Sequence, residues 1–228
     1  DISCGMRATD GAIEACTIDK ETMDPTFSII GDKGQKAVGV CGSGIIDLIS
    51  ELFRCGIINP KGKFIREGKR IRHDKYGMGS YVLVFKEDAA SVKDVEINEV
   101  DIDNFMRAKG AIFSAIRVML NSLDFTVDMI DDVYVAGGIG SGINMKNAVN
   151  IGMFPDIPIE KFHYIGNSSL SGSYIMLLSN QAEKKVDDIA HNMTYLELSN
   201  EPTYMDEFVA SCFLPHTDAT LFPSLTFK

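Results

Sequence analysis

Residues 133–142 read VYVAGGIGSG, a short apolar run that ends on two adjacent glycines and then reaches a third and a fourth. An uncharged run rich in β-branched and aromatic residues reads as a buried strand. Glycines at its end let another backbone, a flat ring or a phosphate approach closer than any Cβ permits. A short helix is expected at residues 144–150, and the free N–H groups of a helix start attract anions. Strand, glycine turn and helix in that order belong to α/β folds, in which strand ends deliver ligand-binding turns to a cleft.

The pattern occurs twice more. Residues 37–40 (AVGV) read as a strand, CGSG follows at 41–44, and Ile45, Ile46, Leu48, Ile49, Leu52 and Phe53 then repeat at helical spacing up to a stop at Gly56. Residues 162–165 read as a strand, followed by GNSSLSGS and one long helix to about Asn192. Residues 3–15 contain a turn at Asp10-Gly11, residues 26–31 form a strand, and residues 59–80 are a polar connector. Strands are expected at 81–85 and 95–97. A helix opens at Asp101, with an apolar stripe through Phe105, Ala108, Ile112, Ile116 and Leu120. A last strand at 195–198 and a last helix at 202–213 complete the chain. From Tyr81 onward the alternation implies a mainly parallel sheet covered by helices.

The turns carry the candidate chemistry. Gly137, Gly138, Gly140, Ser141 and Gly142 would bring a nucleoside or phosphate against bare backbone. The spacing is not G-x-G-x-x-G with an acidic residue about 20 positions on, and no G-x-x-x-x-G-K-[ST] loop occurs. Gly42, Ser43 and Gly44 would supply amides and a hydroxyl at a helix start, a cradle for phosphate. Asp47, one turn in, suits a magnesium ion or a water, or simply the helix dipole. Gly166 and Asn167 either cap the long helix or lie beneath a nucleotide. Arg107 and Lys109, in RAKGAI, could reach a ribose, an adenine face or a phosphate, or remain surface charges. Each turn taken alone also fits a ligand-free connection. No catalytic residue is identifiable: His73 and His216 have no neighbouring ligand set, and the GSG sequences lack the flank of a serine-hydrolase elbow.

Charge and cysteine usage narrow the classes. The 228 residues carry a formal charge of −10, which disfavours a nucleic-acid binder, since phosphate neutralisation needs clustered Lys and Arg. No apolar run approaches the roughly 20 residues of a membrane helix, so no membrane partner is expected. Cys4, Cys16, Cys41, Cys55 and Cys212 form no C-x-x-C pair; that spacing fits a reducing compartment and predicts neither a disulfide framework nor a metal or cluster held within this chain.

Taken together, SCGMRATDGAIE, VGVCGSGIIDLI, DIDNFMRAKGAI, YVAGGIGSGIN, YIGNSSLSGS and YLELSNEPTYMDEFVASCFLPHTD resemble the family of reductive activators of corrinoid proteins, over nearly the whole chain. The resemblance implies an α/β fold of the actin-like ATPase type, with ribonuclease H-like lobes built on a mixed sheet flanked by helices. On that basis residues 1–80 are the remainder of a first lobe and the connection, and residues 81–228 a second lobe carrying the adenosine motif. It implies that ATP and Mg are bound, that Gly137 and Gly138 lie against the nucleoside, and that Arg107 and Lys109 line the purine pocket. It further implies a cytoplasmic protein of anaerobic metabolism that returns Co(II) corrinoid proteins to Co(I), with electrons from an iron–sulfur domain outside this chain. The expected partner is a corrinoid protein, and a homodimer is compatible. The family's upstream Asp-x-Gly-Thr strand and its cysteine-rich domain are absent from these residues, so a fragment truncated at its N-terminus, inactive by itself, is expected. A docking module without catalysis and a small-molecule kinase on the same fold are the alternatives.

Overall fold

The computed structural model describes residues 2–138 and 142–225. The sheet nearest the start is mixed. Strand β1 (Ala12–Ile18) pairs antiparallel with β2 (Pro25–Ile29) and parallel with β3 (Gly39–Val40). From β3 the chain enters helix α1 (Gly42–Arg54), which packs on β1 and ends where Gly56 takes φ 63°, a left-handed conformation that suits glycine. The approach is set by Gly44: a Cβ there would lie 2.3 Å from the Ile13 carbonyl oxygen.

Strands β4 (Ile71–His73), β5 (Gly79–Val84) and β6 (Val95–Asn98) form an antiparallel meander. The stretch expected as a polar connector therefore contains a strand. β4 is short, and beside its one buried residue, Ile71, stand Arg72 and His73, so hydrophobic alternation gave no sign of it. From Tyr81 onward, among the described residues, the expected parallel arrangement is met only at β7 (Val133–Val135) and β8 (Phe162–Tyr164).

Helix α2 (Glu99–Ser122) begins at a capping box, in which the Asn98 side chain accepts from the Asp101 amide and Asp101 returns a bond to the Asn98 amide. Its buried face runs through Ile102, Phe105, Met106, Lys109 and Phe113, while Ala108 is exposed and Ile112 is 41% exposed. The stripe is thus rotated from the expected one, because Lys109, a charged residue, occupies the inner face. Helix α3 (Met145–Asn150) follows the glycine turn. The expected single long helix is two, α4 (Ser168–Leu178) and α5 (Asn180–His191), divided where Ser179 turns extended and caps the second through the Ala182 amide. No strand forms at 195–198, and the last helix, α6 (Tyr204–Ser211), packs on α2.

One core joins Ile13, Val40, Leu48, Leu52, Ile97 and Ile102 with Ala148, Ile151 and Leu214. Asp47 and Ser50 on α1 both reach Asn147 on α3, which donates to Asp47 at 2.7 Å and accepts from Ser50 at 3.1 Å. Around β7, β8 and α4 the packing differs. Neither α4 nor α5 has a buried residue, and Tyr134, Tyr174 and Leu177 are 65%, 63% and 85% exposed. A parallel sheet is ordinarily covered on both faces, so this side of the chain presents apolar surface.

Candidate nucleotide site

A cavity of about 1000 Å³ opens where two of the three glycine turns meet, lined among others by Arg7, Glu14, Gly42, Ser43, Gly138 and Gly142. Two turns separated by almost a hundred residues converge because α1 and α3, which follow them, are clamped together by the Asp47–Asn147–Ser50 bonds.

The first turn leaves β7 with Gly137 at φ 107°, a conformation that L side chains rarely adopt. A Cβ on Gly138 would meet no atom within 4 Å, so the absence of a side chain there preserves open space beside the backbone. At Gly142 a Cβ would lie 3.2 Å from the Ser43 hydroxyl, so the two turns are in near contact. Gly140 and Ser141 lie outside the described residues.

At the second turn, Cys41 is the N-cap of α1 and makes no side-chain capping bond, which leaves the first amides of the helix without that partner. Ser43 donates to the Glu14 carbonyl at 2.8 Å and lies 3.3 Å from the Cys41 sulfur. This bond fixes the start of α1 to β1. Gly44 sits behind the turn as the close-approach point already described.

The third turn supports the first. The Gly137 amide donates to the Gly166 carbonyl at 2.9 Å, and the Tyr164 hydroxyl donates to the Gly137 carbonyl at 2.9 Å. Asn167 caps α4 by accepting from the Leu170 amide. Gly166 is thus tied to the glycine turn, Asn167 is engaged at the start of α4, and neither lines the cavity.

The two cations of RAKGAI take other places. Arg107 is on the outer face of α2, paired with Asp103 at 2.6 Å. Lys109 is fully buried, and its ammonium donates to the carbonyls of Phe213 at 2.5 Å and Pro215 at 2.6 Å. Burial pulls its pKa down to about 7. It pins the segment after α6 to α2, with no exposed group left for a ligand. Asp47 is also withdrawn: it is buried against β1, accepts from Asn147 and from the Cys16 amide, and its pKa is raised by burial. Neither a magnesium contact nor a helix-dipole position describes it.

Arg7 and Glu14, which also line the cavity, are not nominated by any sequence motif. Arg7 stands alone in an irregular segment, with no periodic signal. Glu14 had one: it is the single charge in the apolar run AIEAC, and a charged residue inside a buried strand must face something other than the core.

A second cavity, of about 500 Å³, lies near Arg117, Asp156 and Lys161. Its charges are already engaged: Arg117 pairs with Glu207, Asp156 accepts from Ser224, Lys161 donates to the Ile130 carbonyl, and Asp128 is hydrogen-bonded to Thr126. Among the described residues no group of three or more His, Cys, Asp or Glu is placed to hold a metal, and no helix is long and apolar enough to cross a membrane.

Comparison with known proteins agrees with this architecture. The family model for the C-terminal domain of RACo, the ASKHA domain, matches residues 1–226. The corrinoid activation enzyme RamQ of Eubacterium limosum is 29% identical over 216 residues, covering 91% of this chain and 36% of that protein. The [Co(II) methylated amine-specific corrinoid protein] reductase of Methanosarcina barkeri is 25% identical over 223 residues, covering 89% of this chain and 37% of that protein. A solved reductive activator for corrinoid, iron-sulfur protein superposes with a TM-score of 0.91 at 47% identity, over 98% of this chain and 36% of its own. The chain therefore spans little more than a third of the relatives it matches.

Proposed function

The chain belongs to the family of C-terminal ASKHA domains of RACo, an actin-like α/β fold, and we propose that the cavity between its two glycine turns holds ATP. The observation that carries this reading is the convergence of Gly138 and Gly142 with Gly42 and Ser43 on one space. Ligand pockets run to roughly 300–1,000 Å³, so the cavity has room for a nucleoside triphosphate. Its chemistry is sorted by end. Gly137 and Gly138 offer bare backbone to a flat ring, with open space at Gly138. Gly42 and Ser43 offer the uncapped amides of α1 to an anion. Bound magnesium would neutralise phosphate charge. Gly166 holds the Gly137 amide in place, and Asn167 fixes the α4 start beneath it.

In the whole polypeptide this domain couples ATP turnover to the reduction of a Co(II) corrinoid protein to Co(I), with electrons from an iron–sulfur domain outside this chain. The names of the relatives support this: an activator of a corrinoid, iron-sulfur protein, a corrinoid activation enzyme, and a reductase of a Co(II) corrinoid protein. The corrinoid protein is the partner. The apolar surface around α4 is the observation that favours the second reading, a docking module.

The test is calorimetric titration of ATP into the full polypeptide. Saturable binding at one site per chain is expected; no heat and no shift in melting temperature at millimolar ATP would leave the docking reading.

A further inference from the structure

Among the described residues, two charged side chains line the cavity, and neither takes part in the hydrogen bonds and ion pairs that hold the fold. Every other arginine of the chain is engaged: Arg54 with Glu51, Arg66 with the Lys20 and Cys55 carbonyls, Arg70 with Asp24, Arg72 with Asp94, Arg107 with Asp103 and Arg117 with Glu207. Among the described residues the Arg7 guanidinium has no hydrogen bond or ion pair, and neither has the Glu14 carboxylate, although both line the same cavity.

We propose that Arg7 and Glu14 grip the phosphate end of the nucleotide, Arg7 by pairing with phosphate oxygens and Glu14 by taking the divalent cation that accompanies them. The inference rests on the ATP reading above and assigns residues that the glycine motifs do not include. A chain with a net charge of −10 needs a local cation to admit a polyphosphate, and a guanidinium fits phosphate oxygens two at a time. The amides of Gly42 and Ser43 border the same space and add to the attraction.

Glu14 requires a different argument, because a carboxylate beside a phosphate is repulsive unless a cation stands between them. Magnesium is usually bound through one or two carboxylates, with substrate phosphates and waters completing its shell. A single glutamate therefore suffices, in keeping with the absence of any preformed three-ligand group among the described residues. Its place is fixed by the fold. Ile13 and Cys16 turn into the core, Glu14 is exposed, and its carbonyl is held by Ser43 at the start of α1.

The experiment is a titration of the full polypeptide with ATP, in magnesium and in excess EDTA, for the wild type, Arg7→Ala, Arg7→Lys and Glu14→Gln. Melting temperatures should be unchanged, since both side chains are exposed and unbonded. Arg7→Ala should weaken binding about ten- to hundredfold in both conditions, with Arg7→Lys in between. Glu14→Gln should weaken binding only with magnesium present, and in EDTA it should bind as tightly as the wild type or tighter. Wild-type affinity in Arg7→Ala, or an equal loss in both conditions for Glu14→Gln, overturns the assignment while leaving the ATP reading intact. A wild type that binds no ATP removes both.

Discussion

Replacing Gly138 with Val separates the nucleoside contact from the fold. In the chain as it stands, a Cβ at this position meets nothing within 4 Å, and Gly138 is not among the glycines with positive φ. A Cβ therefore fits here without contact, and the backbone is not in the left-handed region that strains a side chain. The effect of the substitution on stability should stay within about 0.5 kcal/mol, as for other substitutions that touch no packed group. In the complex the same space is to be filled by a ring, and forcing extra carbons into filled space costs about 1–3 kcal/mol. That corresponds to roughly five- to 150-fold weaker ATP binding. Calorimetry on the full polypeptide reads the affinity, and a thermal melt of the same samples reads the fold. Gly137 is the wrong choice for this purpose, because its φ of 107° would strain any side chain and confuse the two effects. Unchanged affinity in a folded Gly138→Val variant would refute the placement of the nucleoside.

Lys109→Met should cost about 1–3 kcal/mol for each of the Phe213 and Pro215 carbonyls it leaves unpaired. Because the folded pKa is depressed to about 7 from 10.5, the unfolded chain binds more protons across that interval. The wild type's stability advantage over the variant should therefore grow as pH rises from 7 towards 10, and denaturant melts in which the gap shrinks would contradict it. Gly152→Ala should abolish folding or cost several kcal/mol, since its φ is 71° and a Cβ would lie 2.0 Å from the Pro215 carbonyl oxygen; circular dichroism of the purified variant checks this.

The sequence made the strand–turn–helix units legible, because each pairs an apolar run with a glycine break. The starts of α1 and α3 were found on that signal. Boundaries that depend on one polar residue were not: Ser179 splits α4 from α5 by capping the second helix, and a serine inside a helical pattern carries no such message by itself. The inner face of α2 was misjudged at Lys109, whose charge argues for solvent until the carbonyls of a distant segment are known. Gly42, Ser43, Gly138 and Gly142 could be nominated from local pattern. That they share one cavity depends on Asp47 and Ser50 meeting Asn147, a contact about a hundred residues long in sequence. Arg7 could be recognised only after every other arginine had been given its partner.

The most direct measurement is an experimental structure of the full polypeptide with magnesium and a non-hydrolysable ATP analogue. The account predicts the base against Gly137 and Gly138, the phosphates at the amides of Gly42 and Ser43, and Arg7 within hydrogen-bond reach of a phosphate oxygen. A nucleotide seated elsewhere, for example in the cavity beside Arg117 and Lys161, with the space between the glycine turns empty, would contradict it.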